Sequence, residues 1–433
     1  MAEGFRSFTG ADAFGFPINL QTGGIGLPRS NVGVIRESGT TRVWTMSTPV
    51  LLSYAFRPFF LLSAGFAVVA VGAWLALLHG LHWPGMAGAT VSWHIHEMLF
   101  GFVGAAIAGF LLTAISNWTG RPPAQGLVLG TLVAAWTGGR IAMAFAGAIP
   151  IGMVVALELA FPLILVGVVA WELVAARNRG NYFLAVFIAL FPAVDAGYLL
   201  GELGVVNQAF SRALYLAPHL VIVLITIIGG RVIPAFSTNW LRAQGVKRLP
   251  QVRPWLDRAA LFMVLAVGVA DVMAPAALLT GVLAFVAALV HGIRLSNWCG
   301  WQTRRESLLV ILHLGYAWLV IGYGLLGASS FLDVVPRSSA FHAITVGAMG
   351  TLVLAMMSRV SLGHTGRRLH AGLTTVAAYA MVTVAAVLRI VAPMAAGAYL
   401  ILIDLSALVW MAAFVVFLWE YAPILTRPRL DAG

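Results

Sequence analysis

The stretch WHIHEM (Trp93–Met98) opens a long apolar run, and the pattern around it decides the architecture of the chain. His96, His219 and His342 are evenly spaced, since 219 − 96 = 123 and 342 − 219 = 123. Each is followed, 20 to 22 residues later, by a polar motif, which is NWTGR, STNW and GHTGR in turn. A fixed period of this length indicates tandem copies of one structural unit. The sequence therefore predicts three copies, each of which contributes a histidine.

The composition identifies the class of protein. Of the 433 residues, 61% are hydrophobic and 9% are charged, whereas soluble domains carry about 25% charged residues. We therefore expect a multi-pass membrane protein in a lipid bilayer. The single cysteine, Cys299, excludes a disulfide framework and a cysteine-based metal cage. The net charge of +11 is explained by Lys and Arg in loops that face the cytoplasm, so no nucleic-acid partner is predicted.

Apolar runs predict the number of membrane spans. A spanning helix needs about 20 mostly apolar residues. Twelve segments qualify: 57–79, 92–116, 124–146, 150–174, 181–203, 210–233, 255–274, 276–296, 306–328, 338–360, 370–392 and 396–421. Lys and Arg cluster after the even-numbered spans and are nearly absent after the odd-numbered ones. This alternation predicts that both termini are cytoplasmic.

Repeat period and spans together predict the domain plan. An N-terminal cytoplasmic tail (1–50) precedes repeat units 51–178, 179–300 and 301–425, and residues 426–433 form a C-terminal tail. Each unit has four spans, in an all-α, pseudo-threefold arrangement similar to that of the haem-copper oxidases. That similarity of plan carries no function by itself. Spans 2, 6 and 10 begin at the outer face, so His94, His96, His219 and His342 are predicted at one depth.

The histidine layer is a candidate metal or haem centre, because imidazole binds both haem iron and copper. His94 and His96 are two residues apart and point about 200° apart on a regular helix, so we expect them to face different centres. Glu97 is placed to orient one of the rings. The alternative is a set of interfacial histidines that bond only to water.

Two further histidines are predicted metal ligands. His313 lies inside an apolar span, where an unpartnered polar group is costly, so it is either a ligand or a partner of another helix. Tyr316, three residues on, is predicted to bond to the same site. His364 belongs to the repeated motif, although its position near the cytoplasmic end also suits a loop histidine. His291, at the cytoplasmic end of span 8, is interpreted as a snorkelling or loop histidine.

Charged residues within spans are functional candidates, because each costs at least ~2.5–3.5 kcal/mol in mid-bilayer. Arg140 and Arg389 lie on corresponding spans of units one and three, at the depth of the histidine layer. Their guanidinium groups suit the carboxylates of a haem. Snorkelling or ion pairs with Glu97, Asp195, Glu202 or Asp271 are the alternative. Glu158, Asp195 and Asp404 either relay protons or form pairs.

Several motifs resemble those of one known family: RPFF (57–60), WHIHEMLFGF (93–102), AGFLLTAISNWTGRPP (108–123), HLVIVLITIIGGRVIPAF (219–236) and MMSRVSLGHTGR (356–367). Together, over residues 48–425, they resemble the NnrS family. The resemblance implies a twelve-span protein of the bacterial inner membrane with haem, interpreted as b-type, and copper. It also implies a role in the response to nitric oxide, in denitrification and in protection from nitrosative stress. No assignment of ligands residue by residue comes with it.

Three functions are therefore compared. The first is a haem- and copper-binding protein that acts on nitric oxide or its iron complexes near the periplasmic face, with an electron donor as a possible partner. The second is a sensor or cofactor-handling protein without turnover. The third is a secondary transporter, which the predicted repeat of four helices disfavours, since the major transporter plan repeats every six.

Overall fold

A computed structural model describes residues 32–37, 40–45, 48–85, 91–202, 204–275 and 277–430. These residues form one antiparallel hairpin, β1 (Val32–Glu37) and β2 (Thr40–Thr45), and twelve long helices. The helices are α1 (Phe56–Leu78), α2 (Val91–Thr119), α3 (Gly126–Ala144), α4 (Ile151–Ala175), α5 (Arg179–Glu202), α6 (Arg212–Ala243), α7 (Pro254–Met273), α8 (Leu278–Ser296), α9 (Ser307–Ala328), α10 (Arg337–His364), α11 (Leu373–Met394) and α12 (Tyr399–Thr426). Most of the predicted N-terminal tail, 1–50, lies outside the described residues.

Eleven of these helices are long and apolar enough to cross a membrane, so the chain is a multi-pass membrane protein. The remaining predicted span, the seventh in the chain, does not meet this criterion. Segment 255–274 does fold as the 20-residue helix α7, but any 18-residue window of it contains Asp257, Arg258 and Asp271. Two of these charges bond to residues of other helices, which explains how a helix of this composition fits in the bundle.

Local chemistry sets several helix boundaries. Gly120 ends α2 in the left-handed region, with a φ of 67°, which glycine adopts without strain. Pro254 stands at the first turn of α7, where its missing N–H costs nothing. The Glu306 side chain accepts a hydrogen bond from the Leu308 amide and so caps α9.

Burial identifies the central helices. In the most apolar part of each helix, 72% of residues are buried in α2 and 61% in α9 and α10, against 33% in α1, α4, α8 and α12. The first group forms the interior, and the second leaves one face for lipid. The first and last helices pack together, and the Trp410 indole of α12 donates a hydrogen bond to the Ala67 carbonyl of α1. The Arg57 guanidinium reinforces this contact by donating to the Leu425 and Arg427 carbonyls.

The helices α2, α6 and α10 share a local irregularity. Each contains a π-helical segment, at Glu97–Val103, Ile225–Gly229 and Ala343–Gly350. These are the three helices that carry His96, His219 and His342. Segments of this kind are rare and often occur at functional sites. The threefold tandem arrangement itself stays a prediction. The π-helical segments are a feature shared by the three helices that this arrangement would make equivalent.

Candidate metal centre

His96 lies in a buried polar cluster, the His96 cluster, whose members are His96 and Glu97 on α2, Arg140 on α3, Glu158 on α4 and Asp195 on α5. Its Nδ1 is 2.9 Å from Glu97 Oε1, and its Nε2 is 2.9 Å from Asp195 Oδ1. Carboxylates only accept hydrogen bonds. The ring therefore either carries two protons or has a cation in place of one of them.

Arg140 is the counter-charge of this cluster. Its Nη1 donates to Glu97 Oε1 at 2.6 Å, and its Nη2 donates to Glu158 Oε1. All five side chains are at most 8% exposed. Three carboxylates and one guanidinium leave a formal charge of −2 when the imidazole is neutral. Burying an uncompensated charge is costly, so the cluster has room, electrostatically, for one more cation.

The ligand atoms for such a cation converge. His96, Glu158 and Asp195 each offer one atom, and these atoms lie within 4.8 Å of one another. Glu158 Oε2 and Asp195 Oδ2 are buried and make no hydrogen bond to the described residues. One nitrogen and two carboxylate oxygens form a donor set for a divalent transition metal.

The sequence around the cluster gives these carboxylates space. Gly139 packs against Glu158, and a Cβ added there would lie 2.8 Å from Glu158 Oε2. Pro162 has no N–H, so the main-chain carbonyl one turn before it, that of Glu158, loses its helical donor. Pro192 likewise offers no N–H to the Ile188 carbonyl. The helix α5 is interrupted at Ala189, six residues before Asp195.

A second group, the His94–His342 group, consists of His94 on α2, His342 on α10 and Arg389 on α11. His94 stacks on the Trp74 ring at a centroid distance of 4.8 Å, and its Nδ1 is buried without a partner among the described residues. His342 donates its Nδ1–H to the Ser338 carbonyl at 2.5 Å, which leaves the Nε2 lone pair for another partner. Ser339, three residues before His342, donates its hydroxyl to the carbonyl of Ile390, which is next to Arg389 in the chain. The Arg389 charge acts on both His94 and His342. Arg389 Nη1 is also buried and unpaired within the described part of the chain.

His219 has a simpler environment. Its Nε2 lies 3.2 Å from Asp271 Oδ2, and the other carboxylate oxygen accepts a 2.6 Å bond from Arg337. The opposite ring edge packs on Gly268, where a Cβ would lie 3.3 Å from the ring. Here one carboxylate is balanced by one guanidinium, and the charge of the group is zero with a neutral imidazole.

The structure pairs Tyr316 differently from the sequence-based expectation. Its hydroxyl lies 2.7 Å from His291 Nδ1 and 2.8 Å from Arg294 Nη1, and Arg294 also binds Asp257 at 2.6 Å. These four residues, Asp257, His291, Arg294 and Tyr316, are called the Tyr316 network. The interpretation of His291 as a snorkelling or loop histidine is wrong, because its side chain is completely buried.

The two remaining predicted ligands stand apart from these groups. His313 contacts main-chain carbonyls, with Nδ1 2.9 Å from Leu309 O and Nε2 3.3 Å from Trp298 O. His364 packs against the rings of Tyr54 and Phe56. Their assignment as metal ligands stays a prediction.

Sequence reasoning found the members of the His96 cluster singly and missed their convergence. Asp195 is 99 residues from His96 and falls in the second predicted unit, so no spacing connects the two. The only signal was that acidic side chains inside apolar spans need a partner. The sequence left two partners open for Arg140, a haem carboxylate or an acidic side chain. The structure pairs it with the acidic side chain of Glu97.

Comparison with protein families gives a match over most of the chain. The family described as NnrS protein matches residues 50–429, which is nearly the whole chain and includes all the groups above. No curated protein matches the chain.

Proposed function

The chain belongs to the NnrS family, and from this premise we propose that it is a metal-binding membrane protein of the nitric oxide response. In this proposal the His96 cluster holds a divalent transition metal, copper in the first instance, and the His94–His342 group holds a haem. Nitric oxide, or a related small molecule, interacts with these centres near the periplasmic face of the bacterial inner membrane. Both chain termini are cytoplasmic.

The charge of the His96 cluster is the observation that carries the proposal. Two buried carboxylate oxygens, on Glu158 and Asp195, lack a partner in the described structure, while His96 Nε2 faces both residues. A divalent ion among these three side chains would cancel the surplus of two negative charges. Copper(II) accepts nitrogen and oxygen donors, so the donor set fits it, and also fits other divalent first-row metals.

The His94–His342 group fits a haem for a different reason. The hydrogen bond from His342 Nδ1 to a main-chain carbonyl is the arrangement that orients metal-binding histidines. His94 adds a second ring nitrogen without a partner, and the unpaired Arg389 Nη1 suits a carboxylate. His342 or His94 would bind the iron, and Arg389 would bind a haem carboxylate. The His96 cluster itself does not fit a haem, because both of its ring nitrogens contact carboxylates.

Haem iron binds nitric oxide, and copper exchanges electrons. The protein's own part is to hold these groups in a water-poor interior. Arg140 fixes Glu97 and Glu158 in position. Glu97 in turn holds the His96 ring through Nδ1, which leaves Nε2 directed at the other two carboxylates.

An absorption spectrum with metal analysis of the purified protein tests the proposal. We expect a b-type haem spectrum that shifts when nitric oxide is added, together with copper. Replacing His342→Ala is expected to remove most of the haem, whereas His370→Ala, at an exposed position outside the helices, leaves it unchanged. A protein without haem or transition metal when purified from cells supplied with both would contradict the proposal and favour a transporter.

Turnover is tested separately. Consumption of nitric oxide in the presence of a reduced electron donor would indicate a redox enzyme. A spectral shift with no consumption would instead indicate a sensor or cofactor-handling protein. In either case the His342→Ala protein serves as the control that lacks the haem site.

A further inference from the structure

An apolar cavity of about 120 Å³ lies in the middle of the bundle. The helices α2, α6 and α10 supply most of its wall, for example through Ile107, Val221 and Met349. Every side chain that lines it is apolar. On α2 its lining residues run from 103 to 111, in the central part of a helix that spans 91 to 119. The cavity therefore lies at mid-depth in the helix bundle.

A smaller pocket of about 30 Å³ adjoins it between α2, α4 and α5. Ile107 and Ile188 belong to the walls of both spaces, so these two side chains form the partition. The far wall of the smaller pocket includes Glu158 and Asp195 of the His96 cluster. An apolar space is thus separated by two aliphatic side chains from a buried, charged group.

The chemistry of the walls selects what can occupy this path. Apolar cavities stay dry, yet they bind small apolar molecules and xenon. An ion or a strongly hydrated molecule would lose its hydration and gain no hydrogen bonds. A small uncharged diatomic molecule loses little on leaving water, and it dissolves in the lipid core around the helices.

We propose that the central cavity collects a small uncharged diatomic gas from the membrane and delivers it to the His96 cluster past Ile107 and Ile188. Nitric oxide belongs to this class. The inference rests on the proposed function only for the chemistry at the end of the path, since the two spaces and their partition do not depend on a bound metal. The charged cluster is then reached from the apolar interior of the protein and not from water.

Xenon is the first probe, because it binds such spaces whether or not metal is present. Under xenon pressure we expect a bound atom in the central cavity of the wild-type protein. Two variants serve the gas-delivery test that follows. The first, Ile107→Trp, would fill the partition and extend into the smaller pocket. The matched control is Ile141→Trp, which makes the same change at a lipid-facing position of α3 that is 57% exposed. Absence of xenon from the wild-type cavity, or an acyl chain bound there in its place, would overturn the proposal.

Gas delivery is the second test, made on protein with full metal content. After flash release of nitric oxide, binding at the metal centre should be slowed about tenfold by Ile107→Trp, as for a barrier raised by roughly 1.4 kcal/mol, and unchanged by Ile141→Trp. If Ile107→Trp does not fold, Gly104→Leu fills the smaller pocket from the same helix face. An added Cβ there lies 3.6 Å from the Leu99 carbonyl oxygen and 4.0 Å from the Phe161 ring, which are ordinary contact distances. Equal rates in a metal-loaded blocked variant and the wild type would refute the route while leaving the proposed function intact. Lack of metal in the wild-type protein, with xenon still bound, would refute the function and not the cavity.

Discussion

The His96 cluster and the Tyr316 network are built from the same residue types and differ in charge. Each contains a histidine, an arginine and at least one acidic residue inside the helix bundle. In the His96 cluster three carboxylates face one guanidinium, and two carboxylate oxygens have no partner among the described residues. In the Tyr316 network one carboxylate, that of Asp257, faces the Arg294 guanidinium. The first group needs a cation to be neutral, and the second is already neutral.

The difference separates a binding site from a structural element. A balanced group that is hydrogen-bonded stabilises the contact between helices, as Arg294 does by also bonding to the Thr226 carbonyl in the π-helical part of α6. An unbalanced group is stable only with protons or a metal bound. Burial alone does not distinguish the two, since His96 and His291 are both fully buried.

The largest expected effect is on stability, from loss of the single positive charge in the His96 cluster. Arg140→Met would leave three buried carboxylates, and removing one partner of a buried ion pair costs roughly 3–5 kcal/mol. Arg294→Met should cost less, because the Asp257 carboxylate that it abandons is 16% exposed and stands in the first turn of α7. Denaturant unfolding in detergent measures both. Equal losses in the two variants would remove the distinction between the groups.

Metal removal should have the next largest effect. A ligand present at 100 times its dissociation constant stabilises a folded protein by about 2.7 kcal/mol, so we expect a chelator to lower the unfolding free energy by an amount of this order. Glu158→Gln should abolish the response to the chelator, because it removes one of the three ligands. Tyr316→Phe should keep it, because the Tyr316 network binds no metal in this account. A chelator response that survives in Glu158→Gln would place the metal elsewhere.

The smallest expected effect on stability comes from removing tyrosine hydroxyl groups of α9, in and beside the Tyr316 network. Tyr316→Phe removes bonds to His291 and Arg294, and loss of such a buried partner costs about 1–3 kcal/mol. Tyr323→Phe removes a buried hydroxyl of the same helix that has no partner among the described residues, so its cost should be close to zero. The pair of unfolding curves checks this. A cost for Tyr323→Phe as large as that for Tyr316→Phe would mean that Tyr323 has a partner, such as water.

Composition and the lengths of the apolar runs predicted the helices from the sequence, because lipid permits few alternatives for an apolar chain. The orientation that the charge alternation indicates stays a prediction. Segment 255–274 was read correctly as a helix, but its charged residues depend on partners in other helices. Asp271, for example, bonds to Arg337 of α10. Sequence periodicity describes one helix at a time and does not show such pairing.

The candidate site was predictable only as a set of parts. His96 was recognised as a candidate ligand and Arg140 as a costly charge inside a span, but their neighbours depend on how α2 to α5 pack. His291 was misjudged because its position near a helix end suggests a snorkelling side chain, whereas packing against α9 buries it beside Tyr316. Long-range packing, and not local pattern, decides which polar groups meet.

The central claim is that the His96 cluster holds a metal ion, and metal content is its most direct test. Elemental analysis of the wild-type protein, of Asp195→Asn and of Asp257→Asn compares the two regions with the same substitution. We predict that Asp195→Asn loses the metal ion of this site while Asp257→Asn retains the wild-type content. Wild-type metal content in Asp195→Asn, or an equal loss in both variants, would contradict the account.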